Sequence, residues 1–210
     1  MSENALGADN QQETHIEFIW GSSETTRETP TRNEIMAYLQ GALHDATFSS
    51  NKRFRFSQKG KEWLEILQKM LDFLGYRSWI YREGQTRDVY VLETLANFLN
   101  FRFDPLTLKT KGERRSYIQG FFDAEGGVPH SAIDKFYIQL VQNDREKLRK
   151  IKQILSSLGI EIGKIHNPSK KLHPEYWRMF IRTSSHKKFV ERIGSVHPRK
   201  LKFLRERMVI

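Results

Sequence analysis

The chain has 210 residues, no cysteine and a formal net charge of +10. Its length admits one large domain or two small ones. The missing cysteine excludes disulfides and thiolate zinc sites. No apolar run approaches the roughly 20 residues of a membrane span, and Met1-Ser2-Glu3-Asn4 does not open a signal peptide. An intracellular place is expected: cytoplasm, nucleoid or an organelle. Residues 1–30 carry a net charge of −5, which leaves +15 on residues 31–210. A basic body favours a polyanion partner, because contacts to phosphate release counterions. Charge alone also suits a ribosomal or membrane-surface protein.

Residues 1–30 read as a polar tail, in which only His15 to Trp20 alternates enough to add an edge strand. Thr31 and Glu34 form a capping box, so a helix runs from there through Ile35, Leu39 and Leu43 to about Asp45. Arg53-Phe54-Arg55-Phe56-Ser57 alternates as a half-buried strand. Gly60 to Leu74 reads as an amphipathic helix closed by Gly75. Trp79 to Tyr81 and Val89 to Leu92 read as a hairpin, and Leu95 to Phe101 as a short helix. Residues 102–112, with Pro105 and Gly112, read as a linker.

After the linker a helix ends in Tyr117-Ile118-Gln119-Gly120-Phe121-Phe122-Asp123-Ala124-Glu125-Gly126-Gly127. Ile118, Phe121 and Phe122 recur at helical spacing, so one face is buried. Gly120 and Ala124 lie one turn apart and let a second backbone approach closely. Gly126 is expected to end the helix in the left-handed conformation. Asp123 and Glu125 thus stand at the negative end of the helix dipole, where acids are stabilised only by a nearby cation. Lys135 to Leu140 then alternates as a strand, and Asp144 caps a helix closed by Gly159. Strands are expected around 161–165 and 177–182, followed by a helix from His186.

The second half repeats the first. Tyr38 and Tyr117 are 79 residues apart. Gln58 and Gln142, Leu64 and Leu148, and Gly75 and Gly159 are each 84 apart. The stretch Tyr38 to Thr47 is a weakened copy of the motif, with Gly41 aligned to Gly120. The expected fold is therefore α+β, with two pseudo-twofold related α-β-β-α-β-β-α units over residues 31–101 and 113–210.

The motif resembles the signature of the LAGLIDADG homing endonucleases, and the resemblance covers about residues 31–210. It implies that the two motif helices pack at the centre and that two antiparallel sheets form a saddle on double-stranded DNA. It further implies a monomer that cuts both DNA strands with Mg²⁺, or with Mn²⁺, and binds without cutting in Ca²⁺. Glu125 is then the first metal ligand and Asp123 a weaker, helix-stabilising one. Alignment of the glycines sets His44 against Asp123 and Ala46 against Glu125, which leaves Asp45 one residue out of register. Three readings stay open: Asp45 still reaches the metal, the site nicks only one strand, or the protein binds without cutting. Gln58 and Gln142 correspond to residues that order water, and Lys109 or Lys111 and Lys200 to the lysine near each site. Outward strand positions nominate Arg53, Arg55, Arg77, Trp79, Tyr81 and Arg87 in the first unit as DNA contacts. The second unit offers Lys135, Tyr137, Gln139, Lys164, Arg178 and Arg182. An alternative is a nucleic-acid-binding relative with a decayed site, such as a maturase or regulator. A basic RNA-binding structural protein would explain the charge but neither the repeat nor the acids.

Overall fold

The computed structural model describes residues 29–84, 87–131 and 133–208; the expected strand at His15 to Trp20 lies outside them. The architecture is α+β, with two antiparallel sheets and two hydrophobic cores. In the first half, α1 (Arg32–Ala42) passes through a 3₁₀ turn (Leu43–Asp45) into β1 (Ala46–Phe48). Then come β2 (Phe54–Lys59), α2 (Glu62–Phe73), β3 (Ser78–Arg82) and β4 (Val89–Thr94). The second half holds α3 (Lys111–Glu125), β5 (Gly126–Gly127), β6 (Gln139–Gln142), α4 (Arg145–Ser157) and β7 (Trp177–Phe180). It closes with α5 (His186–Arg192) and α6 (Pro198–Met208).

The halves share one plan. The first sheet has the order β1-β2-β4-β3 and the second β5-β6-β7. Where the first sheet has β3, the second has only bridges from Ile162 to Ile181 and from His166 to Arg178. The expected strand at 161–165 is thus reduced to two isolated bridges. Both amphipathic helices end alike. Gly75 and Gly159 adopt φ of +82° and +72°, and Tyr76 and Ile160 send their N–H back to Leu71 and Leu155.

α1 and α3 make the most extensive helix contact in the molecule. Both start at a capping box, Thr31 with Glu34 and Thr110 with Glu113. The second box lies inside the expected linker, so α3 begins earlier than the linker reading allowed. It carries the same 79-residue offset as Tyr38 and Tyr117. The helices meet backbone to backbone. A Cβ on Gly41 would stand 2.1 Å from the Tyr117 carbonyl, and one on Gly120 would stand 2.0 Å from the Tyr38 carbonyl. No larger residue fits at either point. Ala124 packs against the first core.

Three local expectations are corrected. Residues 95–101 form turns, not a helix. A helix there would leave both of its terminal apolar groups exposed, since Leu95 and Phe101 face solvent. Ala96 and Leu99 turn inward instead, and the Gln40 carboxamide bonds both the N–H and the carbonyl of Asn100. The strand expected from Lys135 begins at Gln139, because its neighbour β5 is only two residues long and β7 ends opposite Gln139. Phe136 leaves the sheet to stack on Phe203 of α6. Gly126 has φ −79°, so it continues into β5 and does not turn left-handed. Its lack of a side chain serves packing: a Cβ would lie 2.1 Å from the Phe122 ring.

Candidate functional site

The site lies where α1 and α3 both end. Each helix delivers one acid to the start of the first strand of its sheet. Asp45 precedes Ala46 of β1, and Glu125 precedes Gly126 of β5. The 3₁₀ turn makes up the length that the register slip removes. From Gly41 to Asp45 is one residue fewer than from Gly120 to Glu125, but the last three residues of the first path are 3₁₀. A 3₁₀ turn rises about 2.0 Å per residue against about 1.5 Å in an α-helix. Both paths therefore advance about 7.5 Å along the helix axis.

Each acid has a glutamine partner. Gln58, at the end of β2, donates to Asp45 Oδ2 at 2.6 Å. Gln142, at the end of β6, stands beside Glu125 and helps hold its carboxyl ionised. Glu125 feels the charge of Asp45. Burial lifts Glu125 from 4.5 to about 7, with the Asp45 charge adding to the rise. Surrounding protein lifts Asp45 to about 6 although one side of it stays open to solvent, and Gln58 and Lys200 oppose the shift. A pair of acids held together at the cost of their own ionisation is what a bound cation would relieve.

Lys200 is 3 % exposed and donates to the carbonyls of Phe122 and Asp123 at 2.5 and 2.7 Å. It thereby caps α3 with a charge of the favourable sign. Burial pushes it down to about 8, while Asp123, Asp45 and Glu125 each hold the proton on. Lys109 is not its counterpart. It precedes α3, a helix about 22 Å long, and so stands at the end away from the acids. Lys111 opens the same helix and is excluded likewise.

Asp123 faces inward. It is 1 % exposed and accepts from Tyr38 Oη at 2.6 Å, from Val196 N at 3.0 Å and from Ser195 Oγ. Trp63 Nε1 donates to the same Tyr38 hydroxyl at 3.0 Å. Asp123 therefore ties α1 to α3 and to the segment before α6. The pseudo-twofold mate of this contact joins Tyr117 Oη to His44 Nε2 at 2.8 Å. In both, the motif tyrosine of one helix reaches the motif polar residue of the other.

Among the described residues no group of three or more His, Asp or Glu side chains converges. Two carboxylates do not fit structural zinc or an all-protein calcium cage. They fit Mg²⁺, which keeps several waters and completes its shell with phosphate oxygens.

The outer face of the first sheet presents Thr47, Arg55, Glu93 and Trp79 side by side across its four strands. Glu93, 7 % exposed, accepts from Arg53 at 3.0 Å and Tyr81 at 3.0 Å and lies 3.1 Å from Arg55. Arg55 also reaches Glu83 at 2.7 Å, and Arg53 lies over the Trp79 ring. Arg77 and Arg87 are exposed just before β3 and β4. The sequence reading missed Glu93 and Glu83. The alternation that put Arg55 on the outer face also marks Trp79 and Tyr81, and strand pairing then sets Glu93 between them.

In the second sheet Gln139 covers Gly127, while Arg178 donates to His166 and lies over Phe180. Lys164 and Arg182 are exposed at its edge. Lys135 and Tyr137 fall before β6, so they are not strand positions.

Two helices joined glycine to glycine, with their acids at the mouth between two antiparallel sheets, define the LAGLIDADG arrangement. Residues 112–194 match the family model described as a LAGLIDADG-like domain. The chain has the fold of the LAGLIDADG homing endonuclease I-DmoI. The match to I-DmoI in complex with DNA and Mn has 19 % identity and a TM-score of 0.60, and covers 78 % of this chain and 98 % of that one. I-DmoI with DNA and Ca matches with 19 % identity and a TM-score of 0.60 over 83 % and 98 %. Full-length DUF199/WhiA from Thermatoga maritima matches with 16 % identity and a TM-score of 0.64 over 94 % and 65 %. No curated protein sequence matches significantly. No helix among the described residues is long and apolar enough to cross a membrane.

Proposed function

We propose that the protein is a monomeric, site-specific endonuclease that hydrolyses phosphodiester bonds of double-stranded DNA with a divalent metal. The observation that carries this is the carboxylate pair, Asp45 and Glu125, each at the end of a motif helix with its own glutamine. Those two acids would hold the ion, which supplies an activated water and neutralises charge on the phosphate. Gln58 and Gln142 orient the acids. Lys200 keeps a positive charge at the end of α3, beside the space a phosphate would enter. Arg53, Arg55 and Arg178, with the exposed bases of both sheets, would carry the duplex.

A second reading is a DNA-binding relative that does not cut. It is favoured by Ala46, which stands where the second motif has Glu125, and by the DUF199/WhiA fold match. The test is cleavage selection from a randomised duplex library with Mg²⁺, and binding selection from the same library with Ca²⁺. One enriched sequence in both arms, cut only with Mg²⁺, is expected. Enrichment with Ca²⁺ and no cleavage with Mg²⁺ or Mn²⁺ would replace the nuclease reading with the second.

A further inference from the structure

The two halves of the site are not built alike. Gln58 meets Asp45 directly, and among the described residues no third side chain is bonded behind it in the first half. Behind Gln142 stands His44, from the 3₁₀ turn that follows α1. Its Nδ1 lies 3.3 Å from Gln142 Nε2, its Nε2 lies 2.8 Å from Tyr117 Oη, and its ring packs edge-on against Phe121. The chain Tyr117–His44–Gln142–Glu125 thus crosses from α3 to the turn after α1 and back to the acid that ends α3.

The direction of its hydrogen bonds follows from one fixed point. The Asn143 backbone N–H donates to Gln142 Oε1 at 2.8 Å. An amide oxygen must face that N–H, so the Gln142 NH₂ faces His44. His44 Nδ1 is then an acceptor and carries no proton. The neutral ring holds its proton on Nε2 and donates it to Tyr117 Oη. Burial favours the neutral ring, and Lys147 on α4 disfavours a second positive charge there. With one N–H toward His44, Gln142 has the other free for Glu125.

We propose that His44 is a positioning residue for the Glu125 half of the site: its Nδ1 fixes the Gln142 carboxamide, which fixes the Glu125 carboxylate. The inference rests on the nuclease reading for its consequence, and on the contacts of His44 with Tyr117 and Gln142 for its hydrogen-bond pattern. Partners behind metal-binding side chains are worth roughly 10- to 100-fold in affinity or activity. His44 therefore sets a difference between the two strands. In the Asp45 half, His44 makes no contact with the glutamine among the described residues.

The test uses the full chain and two variants. His44→Phe keeps the ring packing and removes the acceptor. His44→Asn keeps an acceptor near the Nδ1 position and loses the Tyr117 bond. In metal-free, DNA-free protein, ¹⁵N NMR should show His44 neutral with the proton on Nε2. The Gln142 side-chain amide should shift in His44→Phe and return toward the wild-type position in His44→Asn. On a duplex labelled on each strand in turn, His44→Phe should slow one strand about tenfold or more and leave the other within about twofold. His44→Asn should restore most of the ratio. A proton on Nδ1, or equal slowing of both strands, would overturn the proposal. If wild type cut no DNA, the nuclease reading would fall, and the NMR result would still decide the hydrogen-bond pattern.

Discussion

Glu125 and Asp45 make opposing demands on the chain. Their pKa values, about 7 and about 6, sit above the ordinary 4.5 and 3.8 because the site is partly closed to water. An acid raised in this way favours the folded state below its ordinary pKa and loses that contribution as pH rises through the raised value. Glu125→Gln should therefore melt above wild type at pH 8 and close to it at pH 4.5. An equal gap at both pH values would mean that the carboxyl does not titrate as the geometry requires. The same variant should lose more than about a hundredfold in linear product from a supercoiled plasmid, since even partners behind a ligand are worth roughly 10- to 100-fold. Asp45→Asn should do the same if both acids serve. Wild type stalling at open circle, unchanged by Asp45→Asn, would show that the first acid has no chemical role. The sequence nominates Glu125 through a complete motif. It nominates Asp45 only as one of three readings, because alignment counts residues while a helix end counts ångströms.

At the scale of elements, the sequence carried whatever local chemistry dictates. The Thr31 capping box, the Gly75 and Gly159 helix ends and the alternation of β2 follow from residues within a few positions of each other. Two failures are local, the unread Thr110 capping box and the packing of Gly126 on Phe122, and the others concern contacts made at long range. Residues 95–101 lose their helix to the Gln40 side chain, and β6 starts late because β7 ends. Asp123 gains its role from Tyr38 and Ser195, 85 and 72 positions away. The glycine contact is the clearest element-level test. Gly41→Ala and Gly120→Ala each push a methyl into a carbonyl of the other helix and should cost about 1–3 kcal/mol or more. Thermal melts of each variant decide it, and an unchanged melting temperature would mean the helices do not meet there.

On the scale of the whole molecule, the charge predicts that binding to duplex weakens as salt rises, with a negative log–log slope. A flat response would remove the phosphate contacts from the account. The sheets add what net charge does not show. Arg55 is already engaged by Glu93, Glu83 and Tyr81 before any partner arrives. Its guanidinium is held in place, which suits base reading more than general attraction. Arg55→Ala should thus flatten sequence preference by roughly 1–3 kcal/mol at one position and leave the salt slope nearly unchanged. A slope that fell by about one with no change in preference would make Arg55 a phosphate contact.

The contact between Gly41 and Gly120 also bears on the order of folding. The surfaces that dock are backbone, and they exist only once both helices have formed. Partly formed helices gain little from meeting, so the joint is expected to close after the folding transition state. The methyl in Gly41→Ala should therefore leave the refolding rate nearly unchanged and act on unfolding. Stopped-flow chevrons would show this as a raised unfolding arm. A lowered refolding arm would place the joint in the nucleus.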